Sequence, residues 1–138
     1  MSELTDIVET HYKGMNNGDL DLAMSVFAYD VETLTPQGPS QGLEDFRRFG
    51  QAFLEAVPNG TISGDRMFEC GDTIIVEGTY SGTHTGDLAG PSGPIPPTGK
   101  AFRFGYVDIL QARDGKVVSH HIYWDNLAFM AQLGLLPQ

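Results

Sequence analysis

The hydrophobic period of this 138-residue chain changes near residue 60, and that change limits the folds open to it. Before it, apolar side chains recur every three or four residues. Leu4, Ile7, Val8, His11, Tyr12 and Met15 make one stripe, Leu20, Ala23, Val26 and Phe27 a second, and Phe46, Phe49, Phe53 and Val57 a third. This is the spacing of amphipathic helices. Gly18 separates the first helix from the second, which Asp19 can cap and which is expected to run through Ala28. A short strand at residues 31–35, closed by Pro36 and Gly38, should precede a third helix that starts near Gly42 and stops at Pro58-Asn59-Gly60. After residue 60, β-branched and aromatic residues gather into runs at 61–70, 73–85, 102–112 and 117–125. Gly71-Asp72 and Asp114-Gly115 punctuate them as hairpin turns. Helices first and an antiparallel meander second predict an α+β fold: three N-terminal helices packed on a curved sheet, with a short helix from about Leu127 to Gly134. The length suits one domain, residues 1–138, with a single core.

Charge narrows the partners. Eight Lys and Arg face eighteen Asp and Glu, a net charge of −10, and the basic residues are scattered. Phosphate backbones and anionic membranes would be repelled, so neither a nucleic acid nor a membrane is expected. The N-terminal residues are acidic rather than leader-like and no run of about 18 apolar residues occurs, which predicts a cytoplasmic protein. A lone cysteine, Cys70, rules out an internal disulfide framework. His120 and His121 are adjacent, so their side chains diverge on a strand; with no His-x-His or His-Glu-x-x-His spacing, no metal is predicted. The glycine-rich composition contains no phosphate-binding loop, so no nucleotide cofactor is expected either.

The chemistry-bearing residues gather toward the C-terminus. On the strand at 117–125, a period of two puts Ser119, His121, Tyr123 and Asp125 on one face and Val118, His120, Ile122 and Trp124 on the other. The reading taken here is that the first face is concave. Asp125 then serves as general acid–base on a carbonyl compound, with His121 beside it and Tyr123 polarising the carbonyl. His120 would point outward, unless a one-residue bulge exchanges the faces, and Ile122 and Trp124 would form a homodimer surface. The competing role for Asp125 is a helix N-cap. His84 stands among Gly82, Thr83, Thr85 and Gly86, which leave space for a ligand near the ring. Tyr12 and His11 lie on the inward stripe of the first helix. Phe27, Phe49, Phe53, Met67 and Phe104 supply the wall of a pocket for a small hydrophobic molecule. Residues 86–99, rich in proline and glycine, should be irregular, either a lid or an arm on a neighbouring subunit. Arg103 and Asp108 are five apart and fall on opposite strand faces, which argues against an Asp-Arg-Asp epoxide hydrolase.

Tyr123-Trp124-Asp125, the ending Gln132-Leu133-Gly134-Leu135-Leu136-Pro137, and Gly82-Thr83-His84-Thr85-Gly86 before a proline-rich loop resemble the SnoaL-like polyketide cyclase branch of the nuclear transport factor 2-like superfamily, over nearly the whole chain. The resemblance implies a cone-shaped fold around a deep apolar pocket, often paired through the sheet's outer face. It implies intramolecular aldol closure of a polyketide methyl ester, with the aspartate matching Asp125 as acid–base, a pocket histidine matching His84, and no cofactor or metal. The family's enolate-stabilising amide on the third helix has no counterpart here except Gln51. Because this fold hosts isomerases, dehydratases and non-catalytic proteins as well, a ligand-binding module and a partner-binding adaptor stand as alternatives to the enzyme.

Overall fold

The computed structural model describes residues 2–90 and 92–136, so Pro91 and the motif's terminal Pro137 lie outside the described residues. The elements are α1 (Glu3–Asn16), α2 (Leu20–Met24), β1 (Phe27–Thr35), β2 (Gly38–Gln41), α3 (Leu43–Ala56), β3 (Thr61–Cys70), β4 (Thr73–Thr83), β5 (Ala101–Arg113), β6 (Lys116–Trp124) and α4 (Asn126–Gln132). The strands form one sheet in the order β2-β1-β6-β5-β4-β3, antiparallel throughout except for β1 beside β6. This is the expected α+β architecture. None of the described helices is long and apolar enough to cross a membrane.

Two boundaries differ from the sequence expectation. Helix α2 stops at Met24, and Phe27 opens β1 instead of closing the helix. The Val117 amide donates to the Val26 carbonyl at 2.8 Å, so tertiary pairing with β6 overrides the helical spacing of Val26 and Phe27. Residues 38–41, to which the sequence pattern assigns no element, form β2, a short edge strand paired with β1.

Helices α1 and α2 touch because Gly14 has no side chain; a Cβ there would sit 2.3 Å from the Ala23 nitrogen. Their apolar stripes and that of α3 cover the concave face of the sheet, burying Ile7, Val8, Phe46, Val31, Ile74 and Leu110 in the main core. A second cluster under α4 gathers Phe53, Val57, Leu88, Phe102, Phe129 and Leu133. From the 86–99 segment, Leu88 joins that cluster and Ile95 packs against it: Leu88 and Ile95 exchange backbone hydrogen bonds at 2.9 and 2.7 Å, and Leu88 is buried.

Strand β6 decides what faces the cavity. Ser119 pairs with Gln111 and Val117 with Ala112, so Val118 is an extra residue, a bulge in β6. Beyond it His120, Ile122 and Trp124 turn to the concave side, while Ser119, His121 and Tyr123 turn to the convex side. The two groupings follow the predicted period, but the concave face is the other one. The energetic reason is direct: one face offers Ile122 and Trp124, the other Ser119 and His121, and burying the apolar pair removes more hydrocarbon from water at about 25 cal/mol per Å².

Candidate active site

The inner face of β5 reads Phe102, Phe104, Tyr106, Asp108, Leu110, every second residue and all buried. Asp108 is the one charged side chain in this phase and is 4% exposed. It lies on the wall of a cavity lined by aromatic and apolar side chains, among them Met15, Phe49, Phe53, Tyr80, Phe104 and Trp124. The cavity leaves about 90 Å³ for the centres of water-sized molecules.

Two side chains meet the carboxylate, and a third stands beside them with its ring centre 5.8 Å from that of His120. The Tyr12 hydroxyl donates to Asp108 Oδ2 at 2.6 Å. Burial, followed by the adjacent Asp108 charge, pushes the Tyr12 phenol far above its ordinary range, so it stays a donor. His120, fully buried, places Nε2 3.4 Å from Asp108 Oδ1, close enough for electrostatic coupling but not aligned as a hydrogen bond. Neither His120 ring nitrogen has a hydrogen-bond partner among the described residues. An unpartnered buried imidazole is costly and is found where a ligand or a proton completes the site. Phe27 stacks on the His120 ring at 5.5 Å from behind and also meets His11 edge-on, so it braces the site rather than lining the cavity.

His11 is the third group. Its Nδ1 donates to the Ala23 carbonyl at 2.8 Å, a contact that the close approach at Gly14 permits. A carbonyl only accepts, so Nδ1 carries the hydrogen and Nε2 carries the lone pair. Burial, then the neighbouring His120, lowers the His11 pKa to about 4, so this ring is neutral near neutral pH. Tyr106 lies across Gly78, where a Cβ would meet its hydroxyl at 2.5 Å, and donates to the Ser63 carbonyl at 3.2 Å. Its phenol too is raised, chiefly by burial.

The residues singled out from sequence divide. Tyr12, Phe49, Phe53 and Phe104 are on the cavity wall. Met67 packs into the main core from β3. The expected placements of six others are corrected. Asp125 is exposed at the end of β6 and caps α4, its Oδ1 accepting from the Ala128 amide at 2.9 Å; the alternation that turns Trp124 inward turns its neighbour out. His121 is on the convex face, its Nε2 2.7 Å from Glu32 Oε1, and the Ser119 hydroxyl with His121 holds the Glu32 carboxyl below its ordinary range. Tyr123 is 49% exposed on the same face. His84 is buried away from the cavity, where its Nδ1 accepts from the Thr98 amide at 3.2 Å and ties the end of β4 to the 86–99 segment. Ile122 and Trp124, expected outside, are on the cavity wall. Gln51 is exposed and bonded to Glu55. Asp108, weighed from sequence only as part of an Asp-Arg-Asp arrangement, and His120, expected to point outward, are the functional residues that sequence reasoning set aside. The signal for Asp108 was present, since it shares the phase of Phe102, Phe104 and Tyr106.

Comparison with known proteins settles the family of the chain. The model of the SnoaL-like polyketide cyclase family matches residues 5–133, and the chain belongs to that family. Among solved structures, TsrD of Streptomyces laurentii superposes with a TM-score of 0.85 at 25% identity, covering 97% of this chain and 96% of that one. IdmH of Streptomyces antibioticus, a candidate polyketide cyclase, gives 0.78 at 26%, covering 94% and 97%. AclR of Streptomyces galilaeus, a candidate hydroxylase, gives 0.84 at 22%, covering 100% and 89%, and so speaks to the fold alone. No curated protein matches the chain in sequence.

Proposed function

We propose that the chain is a cofactor-independent acid–base enzyme of the cyclase type, acting on a small, largely apolar carbonyl compound, with Asp108 as the proton shuttle. The observation that carries this is a buried carboxylate set among Tyr12, His120 and His11 in a cavity otherwise walled by hydrocarbon. A carbon acid bound there loses its proton to Asp108, and the electron pair of the broken C–H bond moves onto the carbonyl oxygen as an enolate. In an aldol closure the enolate carbon then bonds to a second carbonyl carbon, and the proton on Asp108 passes to the new alkoxide. Tyr12 holds the carboxylate in one orientation. His120 relays the proton or balances the charge, and the lone pair on His11 Nε2 accepts from a ligand hydroxyl. Exclusion of water strengthens each of these interactions.

The test needs no knowledge of the natural substrate. β-Tetralone in D₂O should take up deuterium beside its carbonyl faster with the protein than in buffer, as followed by proton NMR. Asp108→Asn should abolish the gain while the ketone still binds. Binding without exchange in the wild-type protein would favour the non-catalytic ligand-binding module.

The homodimer implied by the resemblance is proposed to use a different surface from the one first expected. Ile122 and Trp124 face inward. The convex face instead carries a row in register across four strands, Phe68, Ile75, Ile109 and His121, with Tyr123 beside it. Ile109→Asp should convert a dimer to a monomer in sedimentation velocity, and an unchanged species would reject this surface.

A further inference from the structure

The concave surface does not end with the apolar cavity. Past Phe49, a second chamber lies between α3 and the β1–β2 hairpin, closed on one side by Ala89 of the 86–99 segment. It leaves about 290 Å³ on the same measure, more than the inner cavity, and Phe49 is on the wall of both. The two differ in chemistry because the inner face of β1 changes along its length: Val31 faces the main core, whereas Thr33 and Thr35, two and four residues on, face the outer chamber. Ser40 and Gln37 complete a hydroxyl- and amide-lined wall.

These hydroxyls have unspent hydrogens. Thr33 and Ser40 are bonded to each other at 2.5 Å, which uses one of their two hydroxyl hydrogens. Thr35 accepts from the Gln37 amide at 3.0 Å through its oxygen, leaving its own hydrogen free, and its side chain is buried. The chamber therefore presents O–H donors from the buried Thr33 and Thr35 at its base, beneath a rim that includes the exposed Gln37, Pro39 and Arg48. Its charges nearly cancel, since Arg48 is paired with Asp45 and Glu44. Free donors without net positive charge suit neutral acceptor oxygens, such as those of an ester, a ketone or a hydroxyl, and not a free anion.

We infer that this outer chamber is a second ligand subsite, and that the ligand is bipartite: an apolar ring portion in the inner cavity and a neutral, oxygen-rich end on Thr33, Thr35 and Ser40, with Phe49 turning aside between them. The inference rests on the inner cavity as the ligand site. A substrate larger than the inner cavity can extend past Phe49, the side chain common to both walls, into the outer chamber.

The experiment compares two probes, naphthyl methyl ether and glyceryl naphthyl ether, which share a ring system and differ in a diol. Affinities are measured by fluorescence and calorimetry on the full chain. The expected result is that the diol binds about three- to ten-fold more tightly, the effect of one hydrogen bond, and that Thr33→Val with Ser40→Ala removes the difference while leaving the methyl ether unchanged. Replacing both members of the Thr33–Ser40 pair leaves neither orphaned, so the fold is spared; unchanged affinity for the methyl ether checks this, and Thr35→Val gives an independent reading. If neither probe binds the wild-type protein, the inner-cavity reading and this inference both fail. If the methyl ether binds and the diol gains nothing, or if the gain survives the double substitution, the inner cavity stands and the outer subsite is rejected.

Discussion

Asp108 and Asp125 are the same side chain on two neighbouring strands, within β5 and just past the end of β6, and their surroundings give them opposite roles. Asp125 terminates β6 in solvent, where its carboxylate closes the first turn of α4. Asp108 lies mid-strand on the concave face, against a phenol and an imidazole in place of water. A carboxylate in solvent is already satisfied and gains little from any ligand. A carboxylate enclosed with only a few polar partners is the one that a ligand can meet without competition from bulk water. Position within the alternation of a strand, and not proximity to a family motif, separates the two.

The largest effect that would sharpen this contrast is on turnover. General acid–base groups contribute about 10²–10⁴-fold, so Asp108→Asn should lower deuterium uptake by β-tetralone by that order, with His120→Ala next, while Asp125→Asn leaves the rate within about two-fold. Exchange lost with Asp125→Asn and retained with Asp108→Asn would reverse the assignment.

A pH series probes the enclosed side of the comparison. His11 binds a proton near its ordinary 6.5 when the chain is unfolded and only near 4 when folded. Between those values the unfolded state holds more protons, so stability is fully present above pH 6.5 and falls as the pH drops toward 4. The linkage amounts to roughly 3 kcal/mol. Urea midpoints measured from pH 7 to pH 4 should therefore fall more steeply for the wild type than for His11→Phe. Parallel curves would mean that the folded ring is not shielded from protonation.

How much of this could be read in the sequence depends on the kind of signal. The stripes of α1 and α3, and the strands between Thr61 and Trp124, follow from period and turn residues alone, because each is a long local pattern. The end of α2 was not legible, since Val26 and Phe27 continue a helical stripe and only the partner strand at Val117, bonded to the Val26 carbonyl, draws Phe27 into β1. The concave face of β6 depended on its apolar balance, which favoured Ile122 and Trp124, but the motif at Asp125 drew the reading the other way. The bulge at Val118, which sets the phase relative to Val117, has no marker such as glycine or proline. His84 looked accessible because its neighbours are small, yet those small residues let backbone pack close: a Cβ at Gly86 would stand 1.9 Å from the Glu55 carbonyl oxygen.

A third substitution tests whether Tyr12 is part of the enclosed network or only fills space. Tyr12→Phe keeps the ring and removes the donor to Asp108, stranding a buried carboxylate oxygen. A hydrogen bond to a charged group contributes about 1.5–3 kcal/mol, so the unfolding midpoint should drop by that equivalent and exchange should slow. A neutral substitution would show that Asp108 finds another donor, weakening the distinction between the two aspartates.

The smallest effect belongs to the exposed member of the pair. Asp125→Ala removes the acceptor for the Ala128 amide, and loss of an N-cap costs about 1 kcal/mol. Helix α4 carries Phe129, which packs on Phe102 and Phe104, and Phe104 in turn walls the cavity. Fraying of the cap therefore reaches the site only through packing, and it should show as a lower melting temperature with unchanged exchange per folded molecule. Asp125→Asn or Asp125→Ser, which keep a capping oxygen, should restore most of the stability, and an acid–base role would not be rescued by Ser. That rescue pattern separates a residue that holds the wall from one that moves the proton.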